Sequence, residues 1–126
     1  MKNNLQDVPT LKATNVVYAF KCPLGDCKLQ NNARYIGQTT TTLSRRLTMH
    51  LQAGAISKHM TDIHHRHLTR QDLTTNTVIL AHEANRKRLI ILEACYIRAL
   101  MPNMNTQQDI QGVCSLYDSG YLCNNG

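Results

Sequence analysis

Apolar positions fall into two repeats along the chain. Val16-Val17-Tyr18-Ala19-Phe20 is a β-branched and aromatic run that predicts a first strand. Ala33-Arg34-Tyr35-Ile36-Gly37 predicts a second, and the segment Thr75 to Glu83 contains a third. The Lys21–Asn32 connection is rich in Pro, Gly, Asp and Asn and too short for a crossover, so the first two strands are antiparallel. From the Thr39–Thr42 run onward the period changes. Leu43, Leu47 and Leu51 form an i, i+4, i+8 stripe, which predicts a helix capped by one of those threonines and ended by Gly54. The segment Ala55 to His67 reads as a short helix decaying into a His-rich loop. Ala84 to Leu100 gives the strongest helical pattern, stopped at Met101-Pro102. The fold class is therefore α/β (α+β), a small three-stranded antiparallel sheet flanked by about three helices. Residues 1–14 read as a lead-in, 15–106 as the domain and 107–126 as a polar tail.

Charge narrows the partners. Among 126 residues, 14 Lys and Arg face 8 Asp and Glu, a net charge of +6, and six histidines add latent positive charge. That balance suits a polyanion such as DNA or RNA. Lys and Arg residues between Lys21 and Arg88 can line such a path, with no one of them singled out. No apolar run approaches the roughly 18 residues of a membrane span, and the opening residues lack an apolar export signal. The expected setting is intracellular and reducing. There, five cysteines favour metal ligation or buried thiols over a disulfide framework. Cys95, Cys114 and Cys123 read most simply as buried or tail thiols.

One residue contradicts its own pattern. Leu89, Glu93, Tyr96, Ile97 and Leu100 share a helix face, which sets a carboxylate in an apolar stripe. An unpaired acid there costs several kcal/mol or stays protonated. Glu93 is therefore either a rim residue or an acid kept for a divalent cation. Arg46 and His50, four apart, share a face of the first long helix. Two strand tyrosines, an arginine, a histidine and a core-facing acid are the parts that phosphodiester cleavage needs.

These residues, in this order, resemble the GIY-YIG endonuclease superfamily. Val16-Val17-Tyr18 resembles the GIY element with Val-Val for Gly-Ile, and Tyr35-Ile36-Gly37 matches YIG in full. Arg46 and His50 fit the family's Arg-x3-His helix, with Arg45 the alternative because the threonine run carries one extra residue. Glu93 falls on the metal-binding acid, and Asn105 of Pro102-Asn103-Met104-Asn105 on the C-terminal Asn, with Asn103 as runner-up. The similarity spans about residues 15–106. Cys22 and Cys27 between the tyrosine motifs, followed by a His-rich segment, resemble the endonuclease module of Penelope-like retroelements.

The resemblance implies DNA nicking with Mg²⁺ or Mn²⁺ on Glu93. Tyr18 is then the general base, its pKa lowered by Arg46, His50 and the metal. Tyr35 contacts phosphate or water, Arg46 neutralises the phosphorane, Asn105 orients Glu93 or the substrate, and Gly37 leaves room for the phosphate. It also implies a structural Zn²⁺ held by Cys22, Cys27, His59 and His65, with His64 the alternative and His67 less favoured. That zinc would staple the strand hairpin to the helical segment. A nuclear protein is implied, with DNA, a reverse-transcriptase domain in the same parent chain and template RNA as partners. Two alternatives stay open: a non-catalytic zinc-containing DNA- or RNA-binding module, and a homing or repair-type GIY-YIG nuclease.

Overall fold

A computed structural model describes residues 8–105; the tail from 107 onward, with Cys114 and Cys123, and the first seven residues of the lead-in lie outside them. Three antiparallel strands, β1 (Val16–Lys21), β2 (Arg34–Thr39) and β3 (Thr77–His82), form one sheet in the order β2-β1-β3. All three were legible as strands. Helices α1 (Val8–Leu11), α2 (Leu43–Gln52), α3 (Ala55–His64), α4 (Arg70–Asn76) and α5 (Arg86–Leu100) surround it.

The central strand explains the layering. Val16 to Phe20 are all buried, and successive strand side chains point to opposite faces. Val16, Tyr18 and Phe20 pack with Leu43 and Leu47 of α2, Ile56 and Met60 of α3, and Leu73 of α4. Val17 and Ala19 join Ile36 against Leu89, Ala94 and Ile97 of α5. A strand buried on both faces needs apolar residues at every position, which is what the VVYAF run supplies. One extra residue, Leu80, bulges from β3 opposite Val17/Tyr18, and its carbonyl accepts from the Tyr96 hydroxyl at 3.2 Å.

Two short helices escape the apolar pattern. In α4, Thr69 forms a capping box with Asp72, and one Leu, Leu73, reaches the core. The stretch from residue 8 is not all lead-in, because Leu11 and Ala13 pack on the core and the Ala13 carbonyl accepts from Leu43 N–H at 2.9 Å. Thr42 proves to be the cap of α2, accepting from Arg45 N–H at 3.2 Å.

The outer edge of β2 is closed by the chain after α5. Asn103 N–H donates to the Asn32 carbonyl at 2.8 Å and Met104 N–H to the Arg34 carbonyl at 3.1 Å. Asn105 completes the closure. Its Oδ1 accepts from Ile36 N–H and its Nδ2 donates to the Ile36 carbonyl, both at 2.9 Å. A buried side-chain amide thus stands in for a missing strand neighbour, a task the sequence did not suggest.

Candidate active site and metal centre

Directly opposed residues of an antiparallel pair share a sheet face, and Tyr18 opposes Gly37. Tyr35, two residues before Gly37, lies on that face as well. Hence the two phenols meet over a glycine, with ring centroids 6.5 Å apart. A Cβ at Gly37 would come 2.5 Å from Tyr18 Oη and 2.7 Å from its Cζ. This glycine therefore admits the Tyr18 ring, a different reason from the expected room for phosphate.

The Tyr18 hydroxyl is fully buried between two α2 side chains. Arg46 Nε donates to it at 3.1 Å, and His50 Nε2 lies 2.6 Å away. Since arginine can only donate, the phenolic proton is left to point at His50 Nε2, which puts the imidazole proton on Nδ1. His50 also meets Tyr35 edge-on, with centroids 5.2 Å apart. Arg46 bonds Tyr35 as well; burial opposes the guanidinium charge, but the two phenols outweigh it and raise its pKa. The neighbouring Arg45, about 100° round the helix, is exposed, and it is Arg46 that meets Tyr18.

Burial sets the protonation states. His50 is pushed down to about 4, first by desolvation and then by Arg46, so it is neutral at pH 7. Tyr18 moves the other way from the expected lowering. Desolvation and the neighbouring Tyr35 raise its pKa well beyond the usual phenol value, and Arg46 only partly offsets them. A neutral His50 brings no positive charge to help. The Glu93 carboxylate is the last and smallest contributor to the rise; it is half-buried on α5 and is not among the residues that line the cleft beside Tyr35 and Arg46. Beside these residues opens a cleft of about 480 Å³, lined by Tyr35, Arg46, Met49, His50 and the small residues Ala53, Gly54 and Ala55.

The second constellation lies at the far end of the β1–β2 hairpin. Cys22 follows β1, and Cys27 sits on a 3₁₀ turn, Gly25–Leu29, opened by Gly25 at φ +51°. His59 and His64 project from α3, with ring centroids 5.1 Å apart. Cys22 Sγ lies 3.2 Å from His64 Nε2, and Cys27 Sγ lies 3.6 Å from both His59 Nε2 and His64 Nε2. All four ligand atoms lie within 4.8 Å of one another. Tetrahedral zinc with Zn–S of about 2.3 Å and Zn–N of about 2.0–2.1 Å demands S···N separations of roughly 3.5 Å. The cluster fits a metal ion such as zinc.

His65, the expected fourth ligand, is not in the cluster; His64 is. Helix α3 runs through His64, and His65 takes the left-handed capping conformation, φ 53°, which turns it out to solvent. His67 is likewise exposed and outside the cluster. Burial raises the Cys22 thiol, reinforced by Cys27, and lowers His59, reinforced by His64. A bound cation would relieve the first effect and is served by the second, since it wants thiolates and neutral imidazoles. Lys21 Nζ donates to the Cys27 carbonyl at 3.1 Å and steadies the turn.

Other expected residues acquire structural partners. Arg66 Nη2 contacts both carboxylate oxygens of Asp72 at 3.0–3.1 Å, and Arg70 bonds Ser44 and Thr48 of α2, tying α4 to it. Cys95, expected as a thiol, is disulfide-bonded. Cys22 and Cys27 are free and buried. Among the described residues, no helix is long and apolar enough to cross a membrane. Compared with protein-family models, curated proteins and solved structures, the chain finds no match.

Proposed function

We propose that this chain is a metal-dependent DNA endonuclease that hydrolyses one phosphodiester strand. The observation that carries the reading is the Arg46–Tyr18–His50 hydrogen-bond chain, with Tyr35 beside it and Glu93 within electrostatic reach. A structural phenol needs one partner; this one has a permanent cation on one side and a neutral base on the other.

In this mechanism the Tyr18 hydroxyl, buried in the free chain and absent from the cleft lining, must be uncovered as substrate binds; it then takes the proton of the attacking water as its own moves to His50 Nε2. Tyr18 then never has to stand ionised in the resting enzyme, and the negative charge of an incoming phosphate would favour the proton on His50, which burial and Arg46 otherwise disfavour. Arg46, held by both phenols, uses its remaining N–H groups on the phosphate, where a planar fork suits two oxygens. Tyr35 reaches the same phosphate or the water. Asn105 acts at one remove by clamping Ile36 and so fixing the strand that carries Tyr35. A single half-buried carboxylate fits Mg²⁺ or Mn²⁺, which keep several waters and take their remaining oxygens from substrate phosphate. Bound at Glu93, such a cation would cancel the smallest of the effects that raise Tyr18 and would stabilise the leaving oxygen.

Zinc on Cys22, Cys27, His59 and His64 would staple the hairpin to α3, behind the catalytic helix. That insertion supports the narrower reading of a target-cleaving module from a retroelement polyprotein. It would work in the nucleus beside a reverse-transcriptase domain and its template RNA. Supercoiled plasmid tests the reading: Glu93→Ala should lose nicking in Mg²⁺ by at least about 100-fold while binding DNA as before. Nicking retained at the parent rate would take Glu93 out of the site. A chain that binds DNA and never nicks it would leave only a binding module.

A further inference from the structure

Arg46 and Met49 line two clefts at once. One is the active cleft; the other, about 280 Å³, runs from them past the Thr39–Thr41 turn to Arg86. Its threonines are already organised: Thr39 Oγ1 accepts from Thr41 N–H at 3.1 Å, and the two hydroxyls lie 2.9 Å apart. No carboxylate lines either cleft. Arg86 is exposed at the first turn of α5 and makes no ion pair among the described residues, whereas Arg66 and Lys58 are paired with Asp72 and Asp62. Arg86 also precedes Glu93 by seven residues. Seven residues are nearly two full turns, so both lie on one stripe of α5, about 10 Å apart along the axis.

A threonine-lined cleft that holds two arginines and no acid, and shares Arg46 with the active cleft, suits a second anion linked to the first. We propose that Arg86, with the Thr39–Thr41 turn, binds the phosphate adjoining the scissile one on the cut strand. Arg46, common to both clefts, keeps the scissile phosphate itself, while Glu93 lines neither. The required substrate is then a phosphodiester polymer. This assignment rests on the endonuclease reading.

The test measures binding of a fluorescein-labelled 20-base-pair duplex to the full zinc-loaded chain. Anisotropy is followed across a KCl series without divalent metal, alongside plasmid nicking kinetics in Mg²⁺. Each phosphate contact contributes about −0.9 to the slope of log K against log salt. Arg86→Ala should therefore flatten that slope by about 1 and weaken low-salt binding about 5-fold. It should raise KM for nicking by a similar factor and leave kcat within about 2-fold. Arg86→Lys, which keeps the charge, should restore the slope. Lys87→Ala removes the same charge one residue away, outside the lobe, and should shift binding less than 2-fold. An unchanged slope in Arg86→Ala, or an equal loss in Lys87→Ala, overturns the proposal. A parent chain that fails to bind the duplex overturns both this and the nuclease reading. If it binds with the Arg86 signature but does not nick, Arg86 remains a contact to the nucleic-acid backbone, while the nuclease reading and the place beside a scissile phosphate both fall.

Discussion

Replacing Gly37 by alanine probes the packing on which the proposed chemistry depends. The new Cβ would meet Tyr18 Oη at 2.5 Å, Tyr18 Cζ at 2.7 Å and Tyr35 Cε2 at 3.0 Å. The first two are closer than side-chain carbons approach in folded proteins, so something must move. β2 cannot easily retreat, because it is paired to β1 on one edge and held by Asn105 on the other. The Tyr18 ring must shift instead, although it is fully buried and bonded to His50 and Arg46. Overpacking a core site costs about 1–3 kcal/mol, and each weakened hydrogen bond about 0.5–1.5 kcal/mol. Relief of glycine's strand penalty returns roughly 0.5–1 kcal/mol. The net expectation is a loss of about 2–4 kcal/mol by urea unfolding of the zinc-loaded protein. Nicking should fall further than folding alone accounts for, since the displaced hydroxyl is the proposed base. Tyr18→Phe removes the closest atom and leaves Cζ, so the double variant should recover about 1 kcal/mol relative to additivity. Gly37→Ala within about 0.5 kcal/mol of the parent, or strict additivity in the double variant, would show that the Tyr18 ring does not depend on the space above Gly37.

Acid should weaken the fold through His50. Its folded pKa lies near 4, below the ordinary 6.5, so the unfolded chain takes a proton that the folded one refuses. Stability is then lost as pH falls from about 6.5 towards 4, by about 2 kcal/mol between pH 7 and 5; His50→Gln should flatten this slope in urea titrations, and an unchanged slope would absolve His50. Cys22→Ser should empty the metal cluster and loosen the hairpin, read as zinc content by elemental analysis together with the unfolding midpoint; full zinc retention would remove Cys22 as a ligand. The companion pair His64→Ala and His65→Ala should divide cleanly, only the former losing zinc. Asn105→Ala would strand the Ile36 N–H and carbonyl in a buried edge and should cost about 2–4 kcal/mol; amide exchange at Ile36 that is no faster than in the parent would contradict the clamp.

Local pattern carried the architecture a long way. The VVYAF run, the Leu43/Leu47/Leu51 stripe and the Ala84–Leu100 pattern each announce an element, because periodicity records which positions must leave water. Spacing alone also put Arg46 with His50, and Cys22 with Cys27 on a turn. The short helix α4 was silent, since it owes its existence to a capping box and to Arg70 bound across to α2 more than to any apolar face.

What periodicity cannot carry is the meeting of separate elements. One residue's difference at the end of α3, a left-handed cap, decides for His64 over His65. The raised Tyr18 pKa follows from complete burial, which outweighs the adjacent guanidinium and could not be read from either residue's neighbours in the chain. Gly37 matters because a ring from another strand lies over it, and Arg86 shares a cleft with the threonine turn because α5 begins beside it. Faces are written along the chain, whereas contacts between faces, and the dielectric they create, exist only once the layers have closed.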